Sequence, residues 1–178
     1  NYAGPYPLQG MDYSKQEWYR KLSYADTDSY LETISMRSNI SDVFLGFRNT
    51  PHIVISVLHS NPYGLEWLHY VLRASLDIDR LQTILSQMEV SGNGDAFLIN
   101  HEGLIQTPSR FYGDIMKKFP LKVPPESERT QVVEGQDHQG RTILIGYAYI
   151  TGTPFILMVI KQKDILMETW EAAGGKLL

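Results

Sequence analysis

The chain has no cysteine in its 178 residues. Disulfides, a thiolate zinc centre and a cysteine nucleophile are excluded with it. A surplus of positive charge is also lacking: 16 Lys and Arg stand against 20 Asp and Glu, for a net charge of -4. The charge is spread evenly, with 7 basic and 10 acidic groups in the first ninety residues and 9 and 10 in the rest. Gripping nucleic-acid phosphates needs concentrated positive charge, so no nucleic-acid partner is expected. The longest strongly apolar run, Phe155 to Ile160, falls far short of a membrane span, and no signal-peptide pattern opens the chain. Catalytic signatures are missing too. There is no G-x-S-x-G elbow, no Walker loop, no G-x-G-x-x-G and no H-E-x-x-H. His52, His59, His69, His101 and His138 show no ligand spacing of two or four residues, so no metal and no cofactor is expected.

What remains is the composition of a folded protein, 43% hydrophobic and 20% charged. The length suits one domain or two small ones. Asn1-Tyr2-Ala3-Gly4-Pro5-Tyr6 at one end and Gly174-Gly175-Lys176-Leu177-Leu178 at the other read as the ends of a fragment.

Ser14-Lys15-Gln16-Glu17 fits a capping box opening a short helix that carries Trp18, Tyr19 and Leu22. Residues 23 to 39 read as irregular, with one helical turn around Tyr30 to Ile34. Three strands are then expected. Ile40 to Phe47 alternates, with Val43, Leu45 and Phe47 on one face. His52 to Leu58 is rich in β-branched residues, as a central strand would be. Trp67 to Leu76 alternates again, with its even positions on the core face and His69, Val71, Arg73 and Ser75 on a mixed one. A helix from Ile78 to Met88 follows Asp77 as N-cap. Asp95 to Asn100 and Gly103 to Thr107 read as a hairpin, Tyr112 to Phe119 as a small helix, and Pro120, Pro124 and Pro125 as its end. Strands at Gln131 to Gly135, Thr142 to Ile150 and Pro154 to Lys161 precede a final helix from Asp164 that carries Trp170. Strands followed by an amphipathic helix occur twice, a pattern echo of an α+β repeat.

Arg73 is the most informative residue. A guanidinium in an interior strand needs an anionic partner or solvent. It reads either as half of a structural ion pair or as the anchor of a small carboxylate. Trp18 and Tyr19 could wall such a pocket, or simply pack in the core. Arg48 and His52 bracket a turn, and Asp42 could pair with Arg48 or Arg73. His101-Glu102 reads as a solvated turn, and the sequon Asn39-Ile40-Ser41 carries no weight.

Together, Tyr2-Ala3-Gly4-Pro5-Tyr6, Asp12-Tyr13-Ser14-Lys15-Gln16-Glu17-Trp18-Tyr19, Ile40-Ser41-Asp42-Val43-Phe44-Leu45-Gly46-Phe47-Arg48 with Pro51-His52, and Leu72-Arg73-Ala74-Ser75-Leu76-Asp77 resemble the double Cache (tandem PAS-like) sensor domains of bacterial membrane receptors, above all of transmembrane histidine kinases. Gly94-Asp95-Ala96-Phe97-Leu98-Ile99-Asn100 with Glu102-Gly103 and Gln106-Thr107 is similar to the hairpin opening the membrane-proximal module. Gly140-Arg141 and Thr153-Pro154-Phe155 resemble its last strand pair.

The resemblance implies an α+β fold of two PAS-like modules, each a central antiparallel sheet with flanking helices, with a long N-terminal helix and the first strands missing. Residues 1–76 would form the membrane-distal module, 77–92 a connecting helix, 93–162 the proximal module, and 163–178 a helix leading to a membrane span. The implied role is extracytoplasmic (periplasmic) ligand sensing in an inner-membrane protein, without enzymatic activity of its own. The distal module would hold a small molecule, and dimers would pair along the missing helix. Arg73, Ser75, Trp18, Tyr19, Gln16, Asp42, Arg48 and His52 are the candidate site residues. Amino-acid-binding relatives carry an Arg two residues before the Trp-Tyr pair and an Asp in the last distal strand; Gln16 and Ser75 stand there. The expected ligand is therefore a carboxylate without an amino group. Its binding would be passed through the helix after Asp77 and the proximal module to the final helix. Two alternatives stay open: the same sensor on a chemoreceptor or diguanylate cyclase, and a structural or dimerising module that binds nothing.

Overall fold

The β-branched run His52–His59 forms β2, the middle strand of a three-stranded antiparallel sheet between β1 (Arg37–Ile40) and β3 (Tyr70–Asp77). The computed structural model describes residues 8–23, 37–59, 70–88, 90 and 94–174. It divides into two compact units, Asn1–Ile78 and Asp79–Leu178.

In the first unit, register decides which side chains share a face. Asn39 lies opposite Ser56 and Ser56 opposite Arg73; Val54 lies opposite Ser75, and His52 opposite Asp77. This is the covered face, on which Val54 and Ser56 are fully buried. The alternate face carries Leu72, 68% exposed, and Ile55, 38% exposed. The expectation that the even positions of β3 form the core face is thus overturned. Helix α1 (Glu17–Ser23) packs on β1 and β2 and buries Trp18 and Leu22. Through Trp18 it also reaches Arg73, on the mixed face of β3.

Two local expectations also give way. The first strand lies earlier than expected, because Ile40 to Phe47 leaves the sheet after Ile40 and closes in a 3₁₀ turn at Gly46–Arg48. Ser41 N–H still donates to Val54 O, and Phe44 keeps a bridge to His52. Ser14 is not the N-cap. Its N–H donates to Asp12 Oδ1 at 2.9 Å, and the helix begins two residues after Lys15, with Arg20 N–H donating to Gln16 O. The helical turn around Tyr30 to Ile34 and the start of the third strand at Trp67 lie outside the described residues.

The second unit opens within α2 (Ile78–Ser86), which stops two residues short of the expected Met88. Its sheet runs β4-β7-β6-β5, built from β4 (Asp95–Asn100), β5 (Gln131–Gln136), β6 (Thr142–Tyr149) and β7 (Phe155–Gln162). Of the expected hairpin at 95–107, the first strand and the turn form, while Gly103 to Thr107 returns through isolated bridges: Asn100 N–H donates to Leu104 O and Gln106 N–H to Leu98 O. Asn100 Oδ1 holds the turn by accepting from Glu102 and Leu104 N–H. The small helix expected at Tyr112 to Phe119 does not form. Its backbone bonds back to the hairpin instead, with Met116 N–H on Ile105 O and Phe119 N–H on Gly103 O. That return lays Tyr112 and Phe119 over Phe97, closing a dry core with Ile99, Ile105, Ile143, Tyr147, Ile156, Met158 and Ile160. Helix α3 (Lys163–Gly174) follows β7 directly and packs on β6 and β7. Among the described residues, no helix is long and apolar enough to cross a membrane.

Candidate functional site

The covered face of the first sheet carries three of the candidate residues, Arg73, Ser75 and His52, and Trp18 packs over Arg73. Its floor is the row Asn39, Ser56 and Arg73, with His52 and Val54 further along β2. Polar groups are unusual on a sheet face that a helix covers. Ser56 is fully buried, and His52 is 1% exposed. Ser41, beside them, is satisfied: its Oγ accepts from Val54 N–H at 2.9 Å and donates to Asp42 O at 2.8 Å.

Arg73 rises from this floor into an aromatic frame. Its guanidinium carbon lies 5.0 Å from the Tyr13 ring centre and 5.1 Å from that of Trp18. Each such contact contributes about 0.5–2 kcal/mol and holds the planar group in one orientation. Tyr13 and Trp18 meet at 5.6 Å, Trp18 and Tyr19 edge-on at 5.8 Å, and Tyr13 and Phe47 edge-on at 5.5 Å. The walls are therefore apolar and the floor cationic, a combination suited to a small organic anion.

The outer end of the face belongs to Arg48, His52 and Asp77. Arg48 forms an ion pair with Asp77, a partner the sequence reading did not name. His52 donates from Nδ1 to Thr50 O at 2.8 Å, and its ring lies 4.6 Å from Phe44. Burial pushes its pKa down. The Thr50 carbonyl opposes this, Arg48 and Arg73 add to the depression, and Asp77 counters them. Burial and the two guanidiniums thus favour the neutral ring.

Of the eight candidate residues, Arg73 and Trp18 are in direct contact, with Tyr19 behind Trp18. Gln16 lies just before α1 and accepts from Tyr19 and Arg20 N–H through its backbone carbonyl. Ser75 is exposed, one step along the Arg73 face. Asp42 is half-buried in the segment after β1. Sequence reasoning missed Tyr13, Phe47, Ser56 and Asp77. Ser56 left a signal, as the one hydroxyl inside an apolar strand. Tyr13 left another, since Asp12 and Ser14 mark a turn that folds it back on Trp18.

Two hollows lie in the second unit. One, of about 500 Å³, lies beside α2 and Gly94–Ala96 and reaches Arg110; the other, of about 200 Å³, lies between Tyr112, Asp137, Arg141 and Gln162. Among the described residues, no group of three or more His, Cys, Asp or Glu could hold a metal ion.

No family model matches the sequence, and no curated protein matches it. Solved structures do. The extracellular domain of the histidine kinase rpHK1S-Z16 superposes at a TM-score of 0.68 with 14% identity, over 94% of this chain and 67% of that one. The ligand-binding domain of the Pseudomonas fluorescens chemoreceptor CtaA, in complex with L-isoleucine, gives 0.58 with 19% identity, over 90% and 63%. That of the Pseudomonas aeruginosa PAO1 amino acid chemoreceptor PctC, in complex with GABA, gives 0.58 with 18% identity, over 90% and 66%. The chain thus spans about two thirds of the length of these structures. Its fold is the α+β, Cache-type fold of these domains.

Proposed function

We propose that the chain is the extracytoplasmic sensing part of a bacterial transmembrane histidine kinase, and that the covered face of its first sheet receives a small organic carboxylate. The observation that carries this reading is Arg73 held between the Tyr13 and Trp18 rings above buried Ser56 and His52. A carboxylate accepts two parallel hydrogen bonds from a guanidinium, while the rings exclude water around its carbon chain. Gln16 and Ser75 stand where the amino-acid clamp would need an arginine and an aspartate, which favours a ligand without an ammonium group. Likeness to a histidine kinase's extracellular domain supports the kinase output, and likeness to chemoreceptor domains supports a small-molecule ligand. The exposed apolar face of the first sheet, with Leu72 and Ile55, would lie against a helix from flanking sequence, along which a homodimer and a membrane tether would form.

The test is a thermal-shift screen of simple organic acids against amino acids, followed by calorimetry on Arg73→Met. Simple acids should raise the melting temperature in proportion to the logarithm of their concentration. Arg73→Met should weaken binding by about 2–5 kcal/mol while the fold persists. Stabilisation by amino acids alone would overturn the ligand class. An Arg73→Met protein that fails to fold would show Arg73 to be structural.

A further inference from the structure

The ion pair between Arg48 and Asp77 joins two places that are far apart in sequence. Asp77 is the last residue of β3, and α2 begins at the next residue, Ile78, which is itself buried. Arg48 ends the 3₁₀ turn whose middle residue, Phe47, stands edge-on to Tyr13 at 5.5 Å. Tyr13 in turn stacks on Arg73. A continuous series of contacts therefore runs from the guanidinium of the candidate site to the first turn of α2.

The turn in the middle of this series is held in one conformation. Gly46 and Asn49 bracket it with positive φ, 52° and 51°, and Asn49 N–H donates to Gly46 O. A Cβ on Gly46 would come within 2.8 Å of Phe44 Cε2 and 3.1 Å of His52 Cε1. Phe44 and His52 are themselves bonded to each other through both backbone pairs at 3.1 Å. The turn is thus tied at its base, and a displacement of Phe47 would be passed along it to Arg48. The Arg48 side chain is only 4% exposed, whereas that of Asp77 is 51% exposed. The guanidinium is thus fixed under cover, and the carboxylate is the end that can follow it.

We propose that Arg48 and Asp77 form a clasp that transmits changes at the Tyr13–Arg73 contact to the start of α2, the covalent continuation of β3 into the second unit. The clasp gives a regulatory meaning to the site and so rests on the ligand-site reading, but its test needs no ligand. Arg48 acts here as a positioning residue, through Phe47 and Asp77.

The experiment is hydrogen exchange on the 178-residue chain, comparing amides of α2 with amides of β2. Phe47→Ala cuts the series at a half-exposed side chain and leaves both members of the ion pair in place; Asp77→Asn cuts it at the far end. Each should speed exchange in the first turn of α2 relative to β2, by roughly 2- to 30-fold, the range of couplings carried through packed networks. The double variant should show no more than the larger single effect. The proposal fails if Phe47→Ala leaves α2 unchanged, since Asp77 would then only steady its own helix. It also fails if the two effects multiply, or if exchange rises equally in β2 and α2. A ligand screen without hits would remove the site reading and leave this result standing.

Discussion

The two units place opposite chemistry on the covered faces of their sheets. In the second, Phe97 lies opposite Met158, Met158 opposite Tyr147, and Ile99 opposite Ile156, all buried and all apolar except for one phenol. In the first, the corresponding row is Asn39, Ser56 and Arg73, with His52 and Asp77 at its end. Tyr112 and Phe119 come down onto Phe97 and complete a core. Tyr13 and Trp18 come down onto a guanidinium and frame a charge. Burying such a row contributes far less to folding than burying a row of isoleucines, which fits the proposed binding role. The covered face is thus an apolar core in the second unit and the floor of the proposed site in the first.

The largest expected effect tests that contrast directly. Phe97 and Ser56 are both fully buried on covered faces. Phe97→Ala should lower stability by about 3–5 kcal/mol, through lost burial and a cavity beneath Tyr112 and Phe119. Ser56→Ala should stay within about 1 kcal/mol, because the Ser56 hydroxyl makes one long bond, 3.4 Å to Asn39 O. Urea denaturation of the two variants measures both. Equal losses would mean that the first face is as much a core as the second, and the division of roles would fall.

A smaller effect concerns alkali and the second unit. Burial raises the Tyr112 pKa to about 12; Asp137 and Asp95 add to the rise and Arg141 opposes it. An unfolded chain ionises the same phenol near 10.0. Between those values the unfolded state has lost a proton that the folded state retains. Stability from this group is therefore fully present below pH 10 and declines as the pH rises toward 12. Tyr112→Phe should remove the decline in β6 amide protection over that window and leave β2 unchanged. A decline that persists in the variant would assign it to another group.

Much of this division was legible in the sequence, and the misses share a cause. Most strands of the second unit were readable because they hold apolar stretches, such as Phe155 to Ile160, with Gly or Pro turns nearby. The face of β3 was misassigned because alternation shows that two faces differ, not which one a helix will cover. Leu72 and Ala74 looked like core, yet α1 covers Arg73. The helix expected at Tyr112 to Phe119 failed for a similar reason. Its apolar spacing was real, but long-range bonds to Gly103 and Ile105 outcompeted local helix formation. In the candidate site, Arg73 and Trp18 stood out by residue type alone. Tyr13, Phe47 and Asp77 did not, because their roles come only from being brought together across as many as 64 residues of chain.

The smallest expected effect lies at acid pH, in the first unit, and is the counterpart of the tyrosine. Burial depresses the His52 pKa below its usual 6.5; the Thr50 carbonyl opposes this, Arg48 and Arg73 reinforce it, and Asp77 opposes them. Above that value the ring is neutral in both folded and unfolded chains, and nothing is lost. As the pH falls below it, the unfolded chain takes up a proton that the folded one refuses until its own lower pKa is passed, so stability declines across that interval. The first unit should therefore weaken with acid and the second with alkali. Exchange of β2 amides, followed from neutral pH down to about pH 5, measures the slope. His52→Gln should flatten it, although loss of the Phe44 contact lowers stability at every pH. A bound carboxylate should also flatten it, because an anion on Arg73 removes one of the positive charges holding the imidazole neutral. A slope that survives in His52→Gln would place the acid sensitivity elsewhere, and with it would go the contrast between a titratable floor in one unit and a dry core in the other.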